Sequence, residues 1–82
     1  MRVRGPEVAL ATGTTKLNDT GAAYVFNTGS AGLVTVRNAA DNADVGSIRV
    51  GAGAGLVITL GTGEGLRGAS TIKGTPIVAA GF

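Results

Sequence analysis

Cysteine, histidine and tryptophan are absent from this 82-residue chain, and proline occurs only twice. Without cysteine no disulfide can staple the fold, and without Cys or His the usual zinc ligand sets cannot form. The same absences remove the commonest general base and the best thiol nucleophile. Aromatic residues are limited to Tyr24, Phe26 and Phe82, and charge is sparse as well, seven basic residues against five acidic ones giving a net +2. Arg2, Arg4, Lys16, Arg37, Arg49, Arg67 and Lys73 are dispersed along the chain. Nucleic-acid binders cluster such residues on one face and interleave aromatics that stack on bases. No nucleic-acid partner is therefore expected. No apolar run reaches the ~18 residues of a membrane span. The opening MRVRGPEV lacks an apolar h-region, so a cleaved signal peptide is not expected either.

What the chain does have is glycine, 15 residues of it, and 13 alanines, set among short clusters of Val, Ile and Leu. The clearest stretch is VGSIRVGAGAGLVITL, residues 45–60. Ile48 and Val50 alternate with Ser47 and Arg49, and Leu56, Ile58 and Leu60 alternate with Val57 and Thr59. A period of two places each apolar set on one face of a strand. A helix here would have to absorb three glycines at roughly 1 kcal/mol each. A Gly-rich link between two such strands predicts a β-hairpin.

The rest of the chain reads the same way. Strands are predicted over residues 7–11, 14–17, 23–27, 33–38, 69–73 and 77–80, with Val8, Leu10, Val34, Val36 and Ile72 facing inward. Tyr24 and Phe26 share a face opposite Val25 and are expected to serve the core. Turns are predicted at residues 18–21, 28–32 and 74–76, where Asn, Asp, Gly and Pro concentrate, and an Asp/Asn-rich loop at 39–44. Seven to eight short strands with a turn signal about every ten residues predict an all-β fold, a small antiparallel sandwich or barrel with no significant helix. Residues 1–6, broken off by Gly5-Pro6, read as an extended N-terminal arm, and residues 7–82 as one domain.

Motifs that could carry chemistry fall short. Gly51, Gly53 and Gly55 form G-x-G-x-G, but a strand follows where a dinucleotide fingerprint needs a helix. No Lys-Ser or Lys-Thr follows a glycine run, as a P-loop requires. Asp41, Asn42 and Asp44 offer three oxygens where calcium takes six or more, and Asx-turn chemistry accounts for them. Asn18-Asp19-Thr20 matches a glycosylation sequon, without other signs of secretion. Ser70 and Lys73 are a conceivable nucleophile and base, but an offset of three along a strand sends them to opposite faces. No catalytic, metal-binding or cofactor-binding residue is expected, and the chain reads as a non-enzyme.

Eighty-two residues bury only about 60–65% of their extended surface. An alanine-heavy core without disulfide or metal predicts burial gained by homo-oligomerising or by docking on a larger partner, with a compact monomer of idealised packing as the alternative.

The order of elements resembles that of very small all-β virion proteins of tailed bacteriophages. The matching pieces are Tyr24-Val25-Phe26-Asn27, Val34-Thr35-Val36-Arg37-Asn38, Ile48-Arg49-Val50, residues 56–60 and Thr75-Pro76-Ile77-Val78, within residues 20–82. The Gly-Ala-Gly-Ala-Gly run and residues 61–65 depart from that pattern. The resemblance implies a structural role on the virion, made in the host cytoplasm. A capsid decoration (cement) protein, often a trimer, bound to the major capsid protein or another virion protein, is the first form of that role. A small tail or fibre-base component is the second. Under this reading Arg2 and Arg4 on the arm and the spare aromatic Phe82 are the expected partner-binding residues. A carbohydrate- or host-surface-binding module is a third possibility, disfavoured if Tyr24 and Phe26 are consumed by the core.

Overall fold

The computed structural model describes residues 2–17 and 21–78. The protein is all-β, with eight strands: β1 (Arg2–Val3), β2 (Val8–Ala9), β3 (Ala22–Asn27), β4 (Gly32–Arg37), β5 (Asp44–Val50), β6 (Gly55–Thr59), β7 (Gly65–Arg67) and β8 (Ile72–Val78). They form two antiparallel sheets. Sheet A is five-stranded and runs β1-β8-β3-β6, with β2 also on β8; sheet B is three-stranded and runs β5-β4-β7. The body measures 30 × 30 × 18 Å. The short dimension fits two sheets about 10 Å apart with outward side chains.

The core lies between the sheets. Ala23, Val25, Leu60 and Ile72 come from the sheet A side, Val34, Val50 and Leu66 from sheet B, and Leu10 and Leu17 from the segment that passes between them. That segment follows β8 until the Leu10 amide donates to the Ile72 carbonyl, then crosses and exchanges both backbone hydrogen bonds with Leu66 at Thr15. Leu10 and Leu17 sit over Gly74, where an added Cβ would come within 3.3 Å of both. Leucines packed onto glycine fill the space between the sheets.

This filling decides the facing of β3. Ala23, Val25 and Asn27 point inward and are buried, while Tyr24 and Phe26 lie half-buried on the outer face. The predicted alternation is correct, but the aromatic side of the strand is the outer one. Both rings lie across Gly55 of the neighbouring strand, where a Cβ would collide with the Tyr24 ring and hydroxyl and come 3.1 Å from Phe26 Cδ2.

Residues 45–60 form the two strands expected of them, with Leu56, Ile58 and Leu60 inward, but not the expected hairpin. β5 pairs with β4 and β6 pairs with β3, in different sheets. The connection is a turn closed by the Ala54 amide donating to the Gly51 carbonyl at 3.0 Å, with Gly53 at φ +71°. It is docked on the end of β3, where Asn27 donates to the Ala54 carbonyl and Gly53 donates to the Asn27 carbonyl. A hairpin would set both apolar faces on one side of one sheet. Splitting the strands lets Val50 and Leu60 enter the same core from opposite sheets instead.

The turn expected at residues 74–76 is also absent, because β8 continues through Gly74, Thr75 and Pro76. Proline in an inner strand removes a ladder donor. The Thr28 amide to Thr71 carbonyl bond fixes the phase on the β3 side, so residues 73, 75 and 77 bond toward β3 and residue 76 toward β1 and β2. There the Arg4 amide donates to the Pro76 carbonyl, and the neighbouring ladder is broken between β1 and β2. The missing N–H faces that break. Residues 2–4 therefore lie along β8 as an edge strand rather than standing off the body. The turn expected at 18–21 falls largely, and the end of the last predicted strand at 79–80 wholly, outside the described residues.

Candidate functional site

Three places on the molecule gather side chains that the core does not use. The first is the loop joining β4 to β5. Asn38 organises it, its Oδ1 accepting from the amides of Asn42 and Ala43 and its Nδ2 donating to Asn42 Oδ1 at 2.7 Å. Asx chemistry was expected of Asp41, Asn42 and Asp44, but the backbone-capping oxygen is that of Asn38, and the two aspartates turn to other partners. The loop delivers Asp41 at φ +57°, a left-handed conformation that Asp tolerates better than most residues. Asp41 Oδ1 then accepts from the Thr14 hydroxyl at 2.6 Å and from Arg37 Nε at 3.1 Å, with Arg67 Nη2 at 3.6 Å. Arg37 also donates to Asp44 Oδ1 at 2.7 Å and to the Asp41 carbonyl at 2.9 Å. Lys16 Nζ reaches the Ala39 carbonyl at 3.0 Å.

The Thr14 hydrogen bond, followed by that of Arg37, holds the Asp41 carboxyl below its ordinary range. Hydrogen bonds to Asp44 and then Asp41 raise Arg37. The carboxylates of Asp41 and Asp44 are thus occupied by guanidinium and hydroxyl groups rather than open to a cation. Chemically the cluster is a clasp. It fastens residues 14–16, the crossing segment, to the β4–β5 loop and β7.

The second place is the outer face of sheet A. Register aligns Val3, Ile77, Ala22 and Thr59 in one row, Thr75, Tyr24 and Val57 in the next, and Lys73, Phe26 and Gly55 in a third. Ile77 and Ala22 are buried on this face, Tyr24 and Phe26 half-buried, and Val3 and Val57 exposed, at 63% and 47%. What this face presents to the outside is Val3, Val57 and the half-exposed Tyr24 and Phe26, whereas Ile77 and Ala22, at 0% and 2%, are covered. The sequence showed the alternation of Tyr24 and Phe26 but gave no sign of which face was outermost.

The third place is the N-terminal edge. Arg2 stands opposite Val78 in β1, and Arg4 follows it; both are exposed, and neither guanidinium has an ion pair or hydrogen bond among the described residues. Phe82, expected beside them as a partner-binding residue, lies outside the described residues.

Ser70 and Lys73 do meet, though not as a nucleophile and base. Lys73 Nζ donates to the Ser70 main-chain carbonyl at 2.9 Å. Asn27 was quoted in the sequence only as the end of a strand, with no role of its own, yet it is the one fully buried polar side chain among the described residues. Its Nδ2 donates to the Ser30 and Val50 carbonyls at 2.8 and 2.9 Å, and its Oδ1 accepts from the Gly29 amide at 2.9 Å. It is a structural staple, and no enclosed pocket is found among the described residues.

No protein-family model matches the chain, and searches of curated proteins and of solved structures returned no match.

Proposed function

We propose that this is a non-enzymatic structural protein of a virion, a capsid decoration protein that stabilises a shell through contacts with capsid subunits and with copies of itself. The observation that carries the reading is the outer face of sheet A, where apolar and aromatic side chains stand outside a core already filled by leucines. A face of this kind suits protein contact, since interface centres are enriched in aromatic residues and depleted in charge. The polar clusters support the same reading. Thr14, Arg37, Asp41, Asp44 and Arg67 are spent on one another in clasping the body together. Arg2 and Arg4, exposed at the edge of sheet A, are the groups assigned to an acidic capsid surface.

The test is the mass of the complex in which the protein occurs natively. The reading expects it to sediment with assembled shells. It also expects Arg2→Glu with Arg4→Glu to loosen attachment, more so at low salt where charges are unscreened. A chain found free of any particle contradicts it, whatever its oligomeric state.

A second reading gains ground from Tyr24 and Phe26. They lie on the outer face with Thr59 and Thr75 on the same face. That removes the argument against a carbohydrate-binding module, which needs exposed aromatics for stacking on sugar rings. Titration with a panel of oligosaccharides separates the two, since a decoration protein shows no saturable heat or chemical-shift change.

A further inference from the structure

Strand β6 ends sheet A, and its far side is paired with no described strand. Its hydrogen-bonding phase follows from two bonds at its ends. Asn27 donates to the Ala54 carbonyl and Leu60 donates to the Gly21 carbonyl, and both pairs continue the β3–β6 register. Hydrogen-bonded pairs alternate along an antiparallel ladder. Leu56 and Ile58 therefore direct their backbone groups to β3, and Gly55, Val57 and Thr59 direct theirs outward.

The other edges of the molecule are guarded. β1 and β2 are two residues each, carry Arg2 beside Arg4 and Glu7, and are separated by Pro6. β5 has a register shift that leaves Val45 unpaired, and it carries Asp44 and Arg49. The far edge of sheet B is a single bridge at Thr15 beside Lys16. Charges, prolines, bulges and shortness are the usual devices against edge-to-edge pairing. β6 has none of them: it is five residues long, regular, and lies in a stretch without a charge from Val50 to Gly63.

We infer that β6 is a self-association edge, pairing antiparallel with β6 of a second copy about a two-fold axis through Val57. The inference deepens the homo-oligomeric part of the reading above and rests on it. A second copy is the occupant because the strand complements itself in every respect that a ladder requires. Centring on Val57 sets Val57 opposite Val57, Gly55 opposite Thr59 and Leu56 opposite Ile58. The first two kinds of pair are those whose backbone groups point outward, so every free N–H and C=O of the strand finds a partner. The same register matches faces. Leu56 and Ile58, inward and half-buried, cover each other's exposed flanks, and the outward Val57 side chains meet on the side that bears Tyr24 and Phe26. With no charge on the strand, nothing repels its copy. A two-fold contact of this kind makes dimers, which is the geometry of an isologous interface.

The test uses Val57→Lys and Val57→Glu in the full chain. The Val57 side chain is exposed, so neither substitution removes a core contact, and circular dichroism checks that the β fold persists. Sedimentation of the unaltered protein should show a dimer, and each variant alone should dissociate by more than about tenfold, because like charges then face each other across the axis. Mixing the two variants should restore the dimer. A monomer at high concentration overturns both this contact and the self-association reading. An oligomer, trimer included, that is indifferent to both variants overturns the β6 contact and leaves self-association standing.

Discussion

At the scale of single residues, Asn27 bears the most. Its side chain satisfies two carbonyls and an amide where β3 ends, β5 ends and the corner to β6 begins. A buried polar group left without its partner costs about 1–3 kcal/mol. Asn27→Ala should therefore destabilise the protein by about 2–4 kcal/mol, measured by urea denaturation. A loss under about 1 kcal/mol would mean that the corner holds without the staple. Ile72 and Ile58 make a second comparison. Both face inward, but Ile72 is fully buried, whereas Ile58 on the edge strand is half-buried. Ile72→Ala should cost about 2–5 kcal/mol and Ile58→Ala about half of that, since removal of a half-covered side chain leaves a smaller cavity. Equal losses would place β6 deeper than the structure does.

At the scale of elements, the inward facing of Leu56, Ile58 and Leu60 was legible, and so was a loop after β4. Ile48, however, in phase with the buried Val50, is exposed on the edge strand of sheet B, and the loop is capped by Asn38 rather than by its aspartates. Partner choice was not legible. A period of two assigns faces but not sheets, and the Gly-rich link served a corner between layers as well as it would have served a hairpin. Size misled at Tyr24 and Phe26. The larger face of β3 was read as the inner one, whereas leucines from outside the strand, over Gly74 and Gly68, had already filled the interior. Pro76 misled differently, since turn chemistry predicts a break and only the gap between β1 and β2 shows why a strand survives it.

The β4–β5 loop carries its own prediction. The Asp41 carboxyl is held below its ordinary range in the folded state, so its clasp contributes stability above the unfolded carboxylate pKa of about 4 and loses it as pH falls through the lower folded value. Melting temperature should be flat from pH 7 to about 5 as far as this group is concerned, and fall below about 4. Asp41→Asn should lower the plateau and shallow the acid decline. An acid limb of unchanged depth in the variant would show that other carboxylates set it.

At the scale of the whole molecule, the surface was the least legible part of the sequence. The candidate surfaces depend on which strand ends a sheet and which face lies outside, and both follow from pairings distant in sequence, such as β3 with β8 and β6. The protein is a small body whose core is closed by leucine on glycine, and the contacts proposed for it lie on its outer face and one unguarded edge. Amide hydrogen exchange, residue by residue and at two protein concentrations, tests this most directly. Ile58, whose N–H points to β3, should be protected at both concentrations. Val57 and Thr59, whose N–H groups point outward, should exchange freely in dilute solution and become protected in concentrated solution as the edges pair. Free exchange of Val57 and Thr59 at every concentration would contradict the account, as would protection of Val57 in place of Ile58.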